Sequence, residues 1–190
     1  MKKILLYFAA AFTLSSCGYN TIVEKDEAVA KSWSGVETQY QRRSDLIPNL
    51  VSTVQGYADF EQETLTAVVE ARSKATGIQL NVDELTPEAI GRYQQAQQQL
   101  SGALSRLLVS VERYPDLKAS TQFSTLQAQL EGTENRISVA RDKFNASVGE
   151  YNTYIRKFPR NLIAGMFSFE QKGYFESATG TENAPAVTFD

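Results

Sequence analysis

The residues able to run chemistry are few, and the missing types decide as much as those present. Histidine is absent, which removes the side chain that most often serves as general base and metal ligand near neutral pH. The single cysteine, Cys17, permits no intrachain disulfide, no CxxC redox pair and no thiolate zinc site. Catalysis would then need paired carboxylates across a cleft or an activated nucleophile, and the chain singles out no such constellation. A helical bundle can house a carboxylate metal centre, but the familiar Glu-x-x-His arrangement requires histidine. The expectation is a protein that is not an enzyme and carries neither metal nor cofactor. With 19 Lys and Arg against 22 Asp and Glu, the net charge of -3 offers no long-range attraction for nucleic acid either.

Three polar groups could still recognise something. Asp45 and Asn49 lie four apart around Pro48, beside Arg42 and Arg43. They could build a recognition site at a bend, or satisfy the backbone groups that the proline frees, which is the preferred reading. Arg136, Arg141, Asp142, Asn145 and Asn152 recur at helical spacing, where pairing between helices is preferred over a site. Asn152, Tyr154 and Arg156, next to Tyr151 and Phe158, could present a patch to a partner, although aromatics at this spacing more often belong to a core.

Cys17 has a clearer task. Lys2 and Lys3 precede an apolar run from Ile4 to Phe12, and the run ends at Thr13, Leu14, Ser15 and Ser16. That is the layout of a secretion signal, and it falls short of the roughly 20 apolar residues of a membrane span. Leu14 to Cys17 resembles a lipobox, in which small residues let a lipoprotein signal peptidase cleave before a diacylated cysteine. Acyl chains would hold the protein on a membrane, at about 0.8 kcal/mol per buried methylene. Gly18 rather than aspartate follows the cysteine, which by resemblance to lipoprotein sorting in two-membrane bacteria favours the outer membrane over the inner.

The elements that must position these residues are helices. From Ile22 to about Ala75, Val29, Trp33, Val36, Tyr40, Ile47, Leu50, Val54 and Tyr57 mark a packed seam, with Arg43 between Tyr40 and Ile47. A cation there must snorkel or pair with a carboxylate on a facing helix. Pro48 either kinks this helix or marks a corner. After a loop over 77–86, Thr86, Pro87 and Glu88 form a helix start. The second seam is Ile90, Tyr93, Gln97, Leu100, Leu104, Leu107, Val111 and Tyr114, and Pro115 stops it; Gln94, Gln95, Gln98 and Gln99 fall on a solvated face. A third helix starts near Ser120 with Phe123, Leu126, Leu130, Thr133, Ile137, Ala140, Phe144, Val148, Tyr151, Ile155 and Phe158, and ends at Pro159.

Unbroken, the first helix would run about 80 Å, twice the second, leaving Trp33, Val36 and Tyr40 without a partner. A corner at Asp45 to Pro48 avoids this, while a seam that keeps its phase through Pro48 favours a kinked but continuous helix. The predicted fold is therefore all-α: an antiparallel up-and-down bundle of about four helical segments, preferably turned near Pro48. Residues 1–16 read as a lipoprotein signal peptide, 17–21 as acylated anchor and short linker, 22–175 as the bundle and 176–190 as a loose tail.

Several runs are more particular than generic helix. RRSDLIPNLV at 42–51 and QGYADFE at 55–61 resemble one signature of the LemA family, ENRISVARDKFNASVGEYNTYIRKFPRNLIAGMF at 134–167 resembles its second, and RYPDLKAS at 113–120 also fits. The resemblance spans Tyr19 to Phe175. It implies a helical bundle tethered to the bacterial cell envelope, in a setting of membrane organisation or stress, and implies no reaction. Many members resemble proteins with one true transmembrane helix, which the lipobox replaces here. The expected partners are the membrane, through the lipid anchor, and other envelope proteins or further copies of the chain, met by surface residues such as Lys31 and Glu37. Two alternatives remain: a membrane-shaping or oligomerising coat, and a hydrolase or accessory subunit of one.

Overall fold

A computed structural model describes the backbone of residues 2–57 and 61–176 and the side chains of 18–57 and 61–176. Within them the chain is all-helical. Helix α1 (Lys2–Gln55) is followed by α2 (Gln62–Thr76), a 3-10 turn (Val82–Glu84), α3 (Pro87–Val111), the short α4 (Pro115–Lys118), α5 (Thr121–Arg156) and α6 (Arg160–Met166). Local chemistry starts two of these where the sequence suggests: Thr86 Oγ1 accepts from the Ala89 N–H at 3.2 Å, and Ser120 Oγ accepts from the Phe123 N–H at 3.4 Å. The expected linker lacks a separate identity, because residues 18–21 are already part of α1.

The expected corner at Asp45 to Pro48 is not there. Helix α1 runs through Pro48, and the chain turns only beyond Gln55. Proline lacks the N–H that would bond the carbonyl four residues earlier, that of Ser44. Arg72 on α2 supplies the missing donor, its Nε lying 2.9 Å from the Ser44 oxygen. With that carbonyl satisfied, the helix keeps Ile47, Leu50 and Val54 buried, which a corner would not. The upper stretch of α1 does not project bare, because α5 is 36 residues long and runs beside it.

The core has two halves. The distal half gathers Leu50, Val54, Leu65, Val68, Leu100, Leu107, Phe123 and their neighbours from α1 to α5. The proximal half, toward Gly18, gathers Ile22, Val29, Trp33, Ile90, Tyr93, Phe144, Tyr151 and Ile155, and is completed by Ala164 and Phe175. Phe175 comes from residues 169–176, an irregular strap laid across α3 and α5. The strap approaches the start of α3 so closely that a Cβ on Gly173 would lie 2.7 Å from the Pro87 Cα. Glycine is therefore required there. The expected packing of the segment after 160 on the bundle is what the structure has, while residues 177–190 of the expected loose tail lie outside the described residues.

Replacing Leu104 by alanine should cost about 2 to 5 kcal/mol, since its side chain lies in the distal core. Val109 on the same helix is 71% exposed, and its change to alanine should stay within about 0.5 kcal/mol. Urea denaturation of the two variants checks both.

Candidate functional site

Between the core halves lies one polar layer. Each apolar seam has a polar residue there: Arg43 on α1, Gln97 on α3 and Thr133 on α5, all buried. Arg43 is 1% exposed, and its guanidinium is bonded on both terminal nitrogens. Nη1 donates to Ser101 Oγ at 2.8 Å and to Glu134 Oε2 at 3.0 Å. Nη2 donates to the Gln97 side-chain oxygen at 2.5 Å and to its carbonyl at 3.3 Å. The Tyr40 ring lies under the same group, 5.1 Å away. Of the two options the sequence allows, Arg43 therefore takes the facing carboxylate.

The layer opens sideways into a cleft of about 390 Å³ between α1 and the 77–82 loop, lined by Trp33, Glu37, Tyr40, Tyr93 and Gln97 among others. Burial pushes the Glu37 carboxyl up, against the smaller pull of the Trp33 indole N–H. Burial also pushes the phenols of Tyr40 and Tyr93 up. Glu37 is half-buried in this cleft, which corrects its assignment to the free surface, while Lys31 is exposed as expected.

The strap is held by side-chain amides in place of a neighbouring strand. Asn152 donates to the Lys172 carbonyl at 2.8 Å and accepts from its N–H at 2.9 Å. Asn145 does the same for Phe175, at 2.8 and 2.9 Å, and Gln94 for Glu176, at 2.9 and 3.0 Å. Arg141 Nη2 also donates to the Glu176 carbonyl at 2.8 Å, so residue 176, placed in the tail by sequence, is tied down. Lys172 Nζ reaches the Val82 carbonyl and the Asp26 carboxylate, both at 2.9 Å. Gln94, assigned to a solvated face, is buried; its partner lies 82 residues away, a separation that no local pattern reports.

The candidate residues do not converge. Arg42, Asp45 and Asn49 are exposed on α1, and the Asp45 carboxylate accepts from Gln41 at 2.7 Å. Neither Asp45 nor Asn49 serves the carbonyl freed by Pro48, since Arg72 on α2 reaches it first. Asn152 is structural, Tyr154 is half-buried with the Arg160 guanidinium 4.1 Å over its ring, and Arg156 is exposed at the end of α5. Cys17 lies among the residues whose side chains are not described. Among the described residues no His, Cys, Asp and Glu cluster of three is placed to hold a metal, and no helix is long and apolar enough to cross a membrane. A broader groove of about 710 Å³ runs between α1 and α5 alone, lined by Lys31, Arg136 and Lys143 around Gly35, Gln39 and the exposed Val139.

Two long helices braced at one polar layer, with side-chain amides clamping a C-terminal strap, define an all-α bundle protein. The LemA family profile matches residues 32–189, and the chain belongs to the LemA family. Among similar proteins, Magnetosome protein MamQ 2 of Paramagnetospirillum magneticum is 27% identical, covering 90% of this chain and 68% of that one. Magnetosome protein MamQ of Magnetospirillum gryphiswaldense is 27% identical, with 97% of this chain and 74% of that one covered. Protein LemA of Metamycoplasma hominis is 23% identical, with 84% of this chain and 69% of that one covered.

Arg43→Ala should destabilise the bundle by about 3 kcal/mol or more, because it leaves the buried Gln97 side chain without its donor and opens a void. Glu134→Gln should cost no more than about 1 kcal/mol, because the Glu134 side chain is 56% exposed. Asn152→Ala should cost about 1 to 3 kcal/mol by stranding both backbone groups of Lys172. For that variant, amide exchange should quicken at 172–176 first, and unchanged exchange there would contradict the clamp.

Proposed function

We propose that the chain is a lipid-anchored, non-catalytic scaffold of the bacterial cell envelope, held through an acylated Cys17 and working by contact with other envelope proteins. The carrying observation is the groove between α1 and α5. It is lined by those two helices alone, and Lys31, Arg136 and Lys143 give it a basic rim that suits an acidic protein surface. The buried polar groups elsewhere have structural duties, in the Arg43 layer and in the strap clamp. The leader layout ahead of Cys17 supports the anchor, and relatives named for the magnetosome fit a membrane setting. Tethering in two dimensions raises local concentration, so weak contacts suffice.

The membrane fraction tests this. Mass spectrometry should find Cys17 acylated at the mature N-terminus, and Cys17→Ser should leave the chain unprocessed or released. Lys31→Glu combined with Arg136→Glu should change which envelope proteins crosslink to it, while circular dichroism and melting stay as in the parent. An unmodified chain beginning at Met1 would overturn the anchor. Turnover of a defined substrate, lost on changing one carboxylate with folding intact, would overturn the non-catalytic role.

A further inference from the structure

Nine large apolar side chains are exposed among the described residues, and five of them collect at one end: Tyr19, Phe158, Leu162, Met166 and Phe167. All five lie on α6, next to it in the chain, or, for Tyr19, against Phe167 at its end. Helix α6 packs against α1 at Gly18, so closely that a Cβ there would lie 2.9 Å from the Ile163 Cδ1. The Tyr19 and Phe167 rings lie 4.8 Å apart, and Tyr19 and Phe169 5.8 Å. Phe158 is 80% exposed, Met166 78% and Leu162 61%, with Leu162 and Met166 one turn apart on the outward face of α6. Solvent rarely touches such a group without a reason. Arg156 and Lys157 stand exposed beside it and Arg160 half-exposed, with Glu170 as the nearby exposed acid.

We infer that this end of the bundle, α6 above all, lies in the headgroup region of a lipid bilayer. The inference rests on the anchored reading above and deepens it. The acyl attachment at Cys17 is one residue from Gly18 and two from Tyr19, so the bilayer surface that holds the anchor must pass within reach of the ring packed on Phe167. An apolar patch rimmed by cations matches that surface: aromatics and long apolar chains enter the interface, and Arg156, Lys157 and Arg160 meet anionic headgroups. Two contacts, acyl chain and patch, fix the direction in which the bundle stands, which a lipid on one residue alone does not.

The acylated full-length protein in vesicles of phosphatidylethanolamine and phosphatidylglycerol decides the matter. Met166→Cys and, at the far end of the bundle, Val109→Cys each offer one thiol for a fluorophore, since acylation occupies Cys17. At position 166 the label should be quenched severalfold more than at 109 by a lipid carrying a nitroxide at its headgroup, and severalfold less by iodide in the water. Equal iodide quenching at both positions on vesicle-bound protein would overturn the inference and spare the anchor. Shielding from iodide without quenching by the nitroxide lipid would also overturn it, because a protein surface such as a second copy would then cover the patch. Protein that fails to float with the vesicles would overturn the anchor and this inference together.

Discussion

The Arg43 guanidinium sits where the two halves of the apolar core meet, and three helices converge on it. A charge so deeply buried is tolerated only where acceptors meet it, and those on its two terminal nitrogens come from Gln97, Ser101 and Glu134 together. This fixes register. Sliding α1 by one turn against α3 would press the cation against Tyr93 or Leu100 and leave Gln97 facing an apolar side chain. Leucine-like seams tolerate several registers, and one polar layer selects among them. The same layer sets the floor of the neighbouring cleft, so the shape of that cavity is tied to the alignment of the bundle.

The treatment of Pro48 follows the same economy of partners. A proline in a long helix strands one carbonyl, and the neighbouring helix provides a guanidinium to meet it. Arg72 therefore does for the Ser44 carbonyl what the helix cannot, and it also joins α2 to α1 where the two shorter helices begin their cover of the distal half. The outcome is a continuous helical spine through Pro48 to Gln55 rather than four equal segments. A spine of this kind carries the far end of the bundle well away from the end where α6 lies.

Much of this was legible in the sequence because helices report themselves locally. The three seams name most of the buried apolar residues, and their single polar interruptions, Arg43, Gln97 and Thr133, are all buried, with Arg43 bonded to Gln97. Thr86 and Ser120 announce their helix starts through short-range chemistry. What escaped depends on partners remote in sequence: Arg72 rescuing the helix at Pro48, and Gln94 and Asn145 holding a segment with no periodicity of its own. Amide side chains look equally at home on a solvated face and against a buried backbone. Asp45 and Asn49 are close to Arg43 along the chain, but the helix turns them outward while Arg43 points into the core.

The strap imposes an order on assembly. Phe175 lies against Trp33, Tyr93 and Phe144, with ring centroids 6.1, 6.5 and 5.5 Å apart, so the proximal core is unfinished until nearly the last described residue is in place. The helical contacts of the distal half are available much earlier in the chain, and domains are synthesised from the N-terminus at about 5–20 residues per second. During synthesis a nascent chain that reaches only residue 170 has its spine and its polar layer but still shows water the face of Trp33. Truncation anywhere before residue 175 would thus leave an open aromatic core, because the proximal half closes only when the strap is in place.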